Sequence, residues 1–325
     1  MKRVKVILIQ KNTPFIEWDI GLHNEIESTI GKAHDLKLFD YNKPVAEQFS
    51  GQEVVISLGK NLNDEIFDSA ARHASLWLVP SVGLDSIDLD AMHRRGFKVA
   101  HTPGIFSGAS LAECALLMIL MITRRFEETQ TALANQKMWD PVGDDLGGMT
   151  LGIIGFGASG RELARRAKAC DMRIMTVDLI PVDQETLDHY GIDFYGTTEK
   201  TDELITQADI VSLHVPLLPE TSKLIDARRL GLMKQSAILI NVARGGLVDE
   251  PALIEALKSK SIAGAGLDVF DPEPPDPNSP LFKLPNVITT PHIAGVTVGT
   301  YKRRIAALKE NVDRFAEGLE PLYQG

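Results

Sequence analysis

Gly155-Phe156-Gly157-Ala158-Ser159-Gly160 is a G-x-G-x-x-G run, a spacing that lets a backbone turn cradle a pyrophosphate. Alone the pattern is weak, because glycines are common in turns. Its neighbours give it weight. The apolar segment Leu151-Gly152-Ile153-Ile154 precedes it, and a helix-period segment at 161–169 follows. A second apolar segment at 174–177 then leads into Asp178, 23 residues after Gly155. Gly155 permits a tight turn, Gly157 lets a phosphate approach the backbone, and Gly160 lets a helix pack close to a sheet. The helix start offers unpaired N–H groups and a partial positive charge. Asp178 can accept hydrogen bonds from both adenosine ribose hydroxyls, and its carboxylate repels a 2′-phosphate. Leu179, Ile180 and Pro181 follow, with no Arg or Lys to hold such a phosphate. The expected cofactor is therefore NAD rather than NADP.

Hydride transfer to a carbonyl needs a proton for the oxygen and, where the substrate carries a carboxylate, a cation to hold it. Histidine is the side chain best poised to give that proton near neutral pH. Among eight histidines, His23, His34, His73, His93 and His189 lie in polar surroundings and read as surface residues. His101 and His214 sit near strand ends. His292 stands in Thr290-Pro291-His292-Ile293-Ala294-Gly295, just past an expected strand, at the carboxyl edge where open α/β sheets place their ligands. Arg244 follows the expected strand at 237–241 and can offer a planar fork to a carboxylate. Glu273 follows the expected strand at 264–269. Each residue taken singly fits an ordinary loop role. Together they follow three different strands of one sheet, and loops at that edge converge.

The elements that must position them are legible from patterning. Short apolar runs at 4–10, 36–40, 54–58, 76–79 and 98–100 alternate with helix-period stretches such as 64–73 and 88–95. A second series of strands is expected at 151–154, 174–177, 210–214, 237–241, 264–269 and 287–289. Such alternation specifies parallel sheets covered by helices. A buried helix at 111–122, capped by Ser110 and closed by Arg124 and Arg125, separates the two series. A final amphipathic helix at 298–317 spaces Ile305, Leu308, Val312 and Phe315 on one face.

The chain has 325 residues, room for two domains of roughly 100–200 residues each. It is 44% hydrophobic and 24% charged, an ordinary balance for a soluble protein that needs no disulfide or metal staple. A net charge of −10 gives no general attraction to nucleic acid or to an anionic membrane. Neither 4–10 nor 111–122 is long enough to span a bilayer, and Cys114 and Cys170 form no C-x-x-C pair. The expectation is a cytoplasmic protein with reduced, structural thiols.

These segments together resemble the D-isomer-specific 2-hydroxyacid dehydrogenases, a family that includes glyoxylate/hydroxypyruvate reductases. The likeness runs through Val82-Gly83-Leu84-Asp85-Ser86-Ile87-Asp88, Thr102-Pro103-Gly104, Ala112-Glu113, the glycine loop, His214-Val215-Pro216, and the segments 241–246, 267–274 and 285–295. It implies a Rossmann NAD-binding domain at 103–294 inserted into a flavodoxin-like substrate domain formed by 1–102 and 295–325. By that resemblance Arg244 holds the substrate's carboxylate and carbonyl oxygen, and His292 exchanges a proton with that oxygen. Glu273 hydrogen-bonds the imidazole, orients it and favours its charged form. The amides of Ser81, Val82 and Gly83 cradle the carboxylate. His214, Val215, Pro216, Thr221, Val242, Ala243, Asp268 and His292 are further implied cofactor contacts, with Asp268 near the nicotinamide amide. The implied assembly is a homodimer through the nucleotide domain.

Two departures bear on the substrate. The run Ile105-Phe106-Ser107-Gly108-Ala109-Ser110 is one residue longer than the family's usual form. Leu58 stands where phosphoglycerate enzymes carry a phosphate-binding Arg, with Lys60 the only nearby substitute, so a non-phosphorylated acid is expected. Side chains around Leu58, Lys60, Trp77 and Phe106 are expected to set pocket size. The competing readings are a D-3-phosphoglycerate dehydrogenase and an NAD(H)-sensing, corepressor-like binding protein.

Overall fold

The computed structural model describes residues 2–10, 16–58, 62–84 and 87–325. Lys60, Asp85 and Ser86 lie outside the described residues. By internal contacts the chain divides into two compact units, Met1–Phe106 with Val296–Gly325, and Ser107–Gly295.

The first unit holds β1 (Lys5–Ile9), β2 (Asp35–Leu38), β3 (Val54–Ser57), β4 (Leu76–Val79) and β5 (Lys98–His101). They form one parallel sheet in the order β2-β1-β3-β4-β5, the flavodoxin-like arrangement. Central strands covered on both faces are near-continuous apolar runs, and Val54, Val55 and Ile56 are all fully buried. Ile305, Leu308 and Val312 from the helix Val298–Ala316 complete the same core, so the C-terminal helix belongs to this unit. Thr297 caps that helix, accepting from Thr300 N.

Two expectations fail here. His34, read as a surface residue, is fully buried. Its Nδ1 accepts from Val4 N at 3.3 Å and its Nε2 meets Asp313 Oδ1 at 2.8 Å, so it pins the C-terminal helix to the start of the chain. Its polar sequence neighbours gave no hint of a partner 279 residues away. Trp77, expected to shape a pocket, is fully buried between Phe67 and Phe97 in the core. The Phe106 ring instead meets the edge of Tyr323 at 5.3 Å, and its carbonyl accepts from Arg303 Nε at 2.9 Å.

The second unit holds β6 (Thr150–Ile154), β7 (Arg173–Val177), β8 (Phe194–Gly196), β9 (Ile210–Leu213), β10 (Ile238–Asn241), β11 (Gly264–Leu267) and β12 (Val287–Thr289). The sheet is parallel, in the order β12-β11-β10-β9-β6-β7-β8. The strand order reverses at β6, with β7 on one side and β9 on the other, which is the Rossmann switch point. β8 was not expected from patterning: three residues, two of them half-exposed, give periodicity nothing to act on.

The helix that separates the two strand series along the chain runs Gly108–Thr123 and starts three residues earlier than expected. Ser110 is buried inside it rather than capping it. Gly108 allows the early start, because a Cβ there would lie 2.9 Å from the Ala158 carbonyl oxygen. This helix therefore packs hard against the helix Ala158–Lys168 that follows the glycine loop.

Candidate active site

At the end of β6, Gly155 has φ +100°, and a Cβ on it would stand 2.7 Å from the His214 carbonyl. A Cβ on Gly160 would stand 2.1 Å from Gly155 O. Both positions therefore exclude a side chain. A Cβ on Gly157 would meet nothing within 4 Å, so the loop's open face is there. Phe156 is buried and offers only backbone to that face; its amide donates to Asp178 Oδ2 at 2.5 Å. Ile180 N donates to Asp178 Oδ1 at 2.9 Å. The two amides orient the carboxylate and leave each oxygen a second lone pair. An open glycine cradle at a helix start, with an oriented carboxylate at the next strand end, fits a dinucleotide.

Beyond β9, Thr221 uses its hydroxyl to close its own turn. It accepts from Leu218 N at 2.7 Å and donates to Pro216 O at 2.7 Å. Leu217 and Leu218 are 40% and 47% exposed, and Leu179 and Ile180 beyond β7 are 76% and 71% exposed. From the sequence, Leu179 and Ile180 counted only as lacking a cation, and Leu217 and Leu218 were not singled out. The Leu217–Leu218 pair, just past the His214-Val215-Pro216 run that follows β9, was the available signal.

Three loops of this unit carry the candidate acid–base residues. Beyond β10, Asn241 clamps the turn, its Oδ1 accepting from Ala243 N at 3.1 Å and its Nδ2 donating to Arg244 O at 2.8 Å. Val242 and Ala243 are buried, while Arg244 is partly exposed and donates from Nη1 to Ala243 O at 2.8 Å. Gly245 lets this loop press on the next, since its Cβ would lie 2.0 Å from the Phe270 carbonyl. In that next loop Glu273 Oε1 accepts from Phe270 N at 3.0 Å. Glu273 Oε2 lies 2.8 Å from His292 Nδ1. Both side chains keep contact with solvent, 50% exposed for His292 and 36% for Glu273.

His292 has φ +55°, a left-handed conformation uncommon for a residue with a side chain. Asp268 holds it there. Asp268 is fully buried, and its carboxylate accepts from Thr290 Oγ1 at 2.6 Å, Ile293 N at 2.8 Å and Ala294 N at 2.8 Å. Its carbonyl accepts from His292 N at 2.8 Å. Asp268, expected beside the nicotinamide, thus spends its carboxylate on the His292 loop. Cys114 shares these surroundings: burial, then the Asp268 charge, pushes its thiol up to about 11, and it is an unreactive thiol at neutral pH.

In the first unit the turn at residues 81–83 is organised from behind. Its carbonyls are taken: Ser81 O by Thr102 N at 3.1 Å, Val82 O by His101 Nδ1 at 3.0 Å and Gly83 O by Ser81 Oγ at 2.7 Å. Arg304 Nη1 donates to the preceding Pro80 O at 3.2 Å. Among the described residues the amides of Ser81, Val82 and Gly83 donate to none. Leu58 is apolar and packs against the core of this unit.

The two sheets and the glycine cradle define a dinucleotide-dependent enzyme of the two-unit α/β type. Residues 116–294 match the family model described as D-isomer specific 2-hydroxyacid dehydrogenase, NAD binding domain. The chain belongs to this family: it is an oxidoreductase, and its cofactor is NAD. It is 39% identical to a glyoxylate reductase of Thermofilum pendens over 81% of this chain and 78% of that one. It is 35% identical to a D-3-phosphoglycerate dehydrogenase of Archaeoglobus fulgidus, over 82% of this chain but 50% of that one. A D-lactate dehydrogenase with NAD+ from Lactobacillus jensenii has the same fold, with TM-score 0.82, 27% identity and coverage of 98% and 99%. Among the described residues no helix is long and apolar enough to cross a membrane.

Proposed function

We propose that the protein interconverts a small, non-phosphorylated 2-oxo acid and its D-2-hydroxy acid, in the manner of a glyoxylate or hydroxypyruvate reductase. The 2.8 Å pairing of His292 with Glu273, on the loop against which the Arg244 loop is pressed, carries the reading. Bound NAD(H) supplies or accepts the hydride. Glu273 takes Nδ1–H, which leaves Nε2 as the atom that gives a proton to the substrate oxygen and removes it in reverse. Arg244 holds the acid with its guanidinium fork. The amides of Ser81, Val82 and Gly83, which donate to no partner among the described residues, are a second carboxylate-binding element. Asp268 is a positioning residue that acts through the His292 loop. Gly157 and the helix start take the pyrophosphate, Asp178 takes the adenosine ribose, and Leu179, Ile180, Leu217 and Leu218 flank the adenine end. Val215, Pro216, Val242 and Ala243 contribute shape rather than charge.

The apolar Leu58 and the relatives named glyoxylate reductase favour a small acid over a phosphorylated one. Turnover followed by NADH absorbance should favour glyoxylate or hydroxypyruvate over phosphohydroxypyruvate. Preference for the phosphorylated acid would overturn the substrate assignment in favour of D-3-phosphoglycerate dehydrogenase. Tight NADH binding with no turnover of any 2-oxo acid would favour a corepressor-like sensor.

The same reading includes a homodimer through the second unit. Leu133, Met138, Trp139 and Val142 are 64%, 63%, 93% and 80% exposed along one stretch of that unit, large apolar side chains that a partner subunit could cover. Light scattering should give a dimer, and Leu133→Glu should weaken it. A cytoplasmic setting fits the two unpaired thiols, Cys114 and Cys170.

A further inference from the structure

Ser212, His214 and Ser159 form a hydrogen-bonded line that neither the acid–base chemistry nor the glycine turn accounts for. Ser212 lies in β9 and is fully buried. His214 follows β9, its amide donating to Ile154 O at 2.7 Å. Ser159 is the second residue of the helix Ala158–Lys168 and is partly exposed. His214 Nε2 lies 2.9 Å from Ser212 Oγ, and Nδ1 lies 2.9 Å from Ser159 Oγ.

The residue keeps some accessible surface, but the ring lies deep enough that burial pushes its pKa down to about 4. The ring is therefore neutral at working pH, with one N–H and one acceptor nitrogen. The line can then run in either of two directions. If Nε2–H donated to Ser212, the Ser212 hydroxyl hydrogen would be buried with no acceptor among the described residues, a costly arrangement. The opposite direction satisfies every buried group: Ser212 Oγ–H donates to Nε2, and Nδ1–H donates to Ser159 Oγ. The Ser159 oxygen is then an acceptor toward His214, and its own O–H points away from that ring.

We propose that His214 is a positioning residue of the NAD site, fixing the Ser159 hydroxyl as a hydrogen-bond donor toward the cofactor pyrophosphate. The inference rests on the glycine loop holding that pyrophosphate. Ser159 is one helical position beyond Ala158 and two beyond the open Gly157, on the loop that faces the anion. An alanine at 159 would leave the backbone cradle intact and remove one donor to a charged group. An aromatic hydrocarbon at 214 would keep the ring's volume and free the Ser159 hydroxyl to rotate.

The test is equilibrium binding of three probes to the full chain: NADH, ADP-ribose and adenosine. Ser159→Ala should weaken NADH and ADP-ribose alike, by about tenfold or more for a lost hydrogen bond to a charged group, and leave adenosine unchanged. Ser159→Thr, which keeps the hydroxyl, should restore most of the affinity. His214→Phe should weaken the same two probes, and the Ser159→Ala/His214→Phe pair should bind no worse than Ser159→Ala alone. Equal loss for all three probes would show a merely structural role and overturn the proposal. So would unchanged ADP-ribose affinity in Ser159→Ala, a variant that stands on its own if His214→Phe fails to fold. Gly157→Val separates the two readings. If it abolishes NADH binding while Ser159→Ala does not weaken it, only the relay is wrong. If it leaves NADH binding unaltered, the glycine-loop assignment falls.

Discussion

The glycine loop after β6 and the His292 loop after β12 lie at the same edge of one sheet, yet they are held by opposite means. The glycine loop is shaped by missing atoms. Gly155 and Gly160 sit where a Cβ would come within 2.7 and 2.1 Å of backbone. The His292 loop is shaped by one extra group, the buried Asp268 carboxylate that gathers Thr290, Ile293 and Ala294. A backbone cradle can bind a phosphate without moving any side chain. An acid–base residue needs one atom in one place, and a carboxylate with three donors holds the chain that carries it. Binding and proton transfer are therefore expected to fail separately.

The sharpest test is His292→Ala. Loss of the proton donor should lower kcat by about 10²–10⁴-fold, the usual scale of general acid catalysis, with NADH affinity nearly unchanged. Steady-state rates and NADH titration of one preparation read both. Full activity would mean that the proton comes from elsewhere. Glu273→Gln keeps a hydrogen-bonding group on the imidazole and should cost less than His292→Ala. Arg244→Ala should raise KM as well as lower kcat, because it contacts the acid.

Asp268→Asn comes next. Asn has one acceptor oxygen where three donors converge, so kcat should fall by roughly tenfold or more and stability by about 1.5–3 kcal/mol. The NADH dissociation constant should move less than kcat. If it moves more, Asp268 touches the cofactor and the contrast between the loops fails.

At the other loop, Asp178→Ala should narrow the preference for NADH over NADPH, chiefly by weakening NADH. Equal use of both cofactors by the unaltered protein would remove Asp178 from this role.

The smallest effect is on stability. Burial pushes His214 down to about 4 from an ordinary 6.5. Between those values the unfolded chain binds a proton that the folded chain does not, so stability should be full above pH 6.5 and fall as pH drops toward 4. His214→Phe should lose this component, so the Tm gap between the two proteins should shrink from pH 7 to pH 5. A gap independent of pH would mean that the ring titrates normally.

The sequence by itself determined the glycine loop and, apart from the short edge strand β8, both sheets. Parallel strands buried on both faces are near-continuous apolar runs, so 54–56 or 151–154 declare themselves in a few residues. A glycine's function is likewise local, because it lies in the absence of a Cβ. It also put Arg244, Glu273 and His292 after three strands of one sheet, where convergence follows from topology. What only the tertiary structure decided depends on partners far along the chain. His34 looked exposed until Asp313 arrived beside it, 279 residues on, and Trp77 looked free to line a pocket until Phe67 and Phe97 enclosed it. Asp268 acquired its task from donors 22–26 residues away, and the line from Ser212 through His214 to Ser159 crosses from β9 to the helix Ala158–Lys168. A buried polar group takes its meaning from whatever satisfies it, and the fold alone brings that group to it.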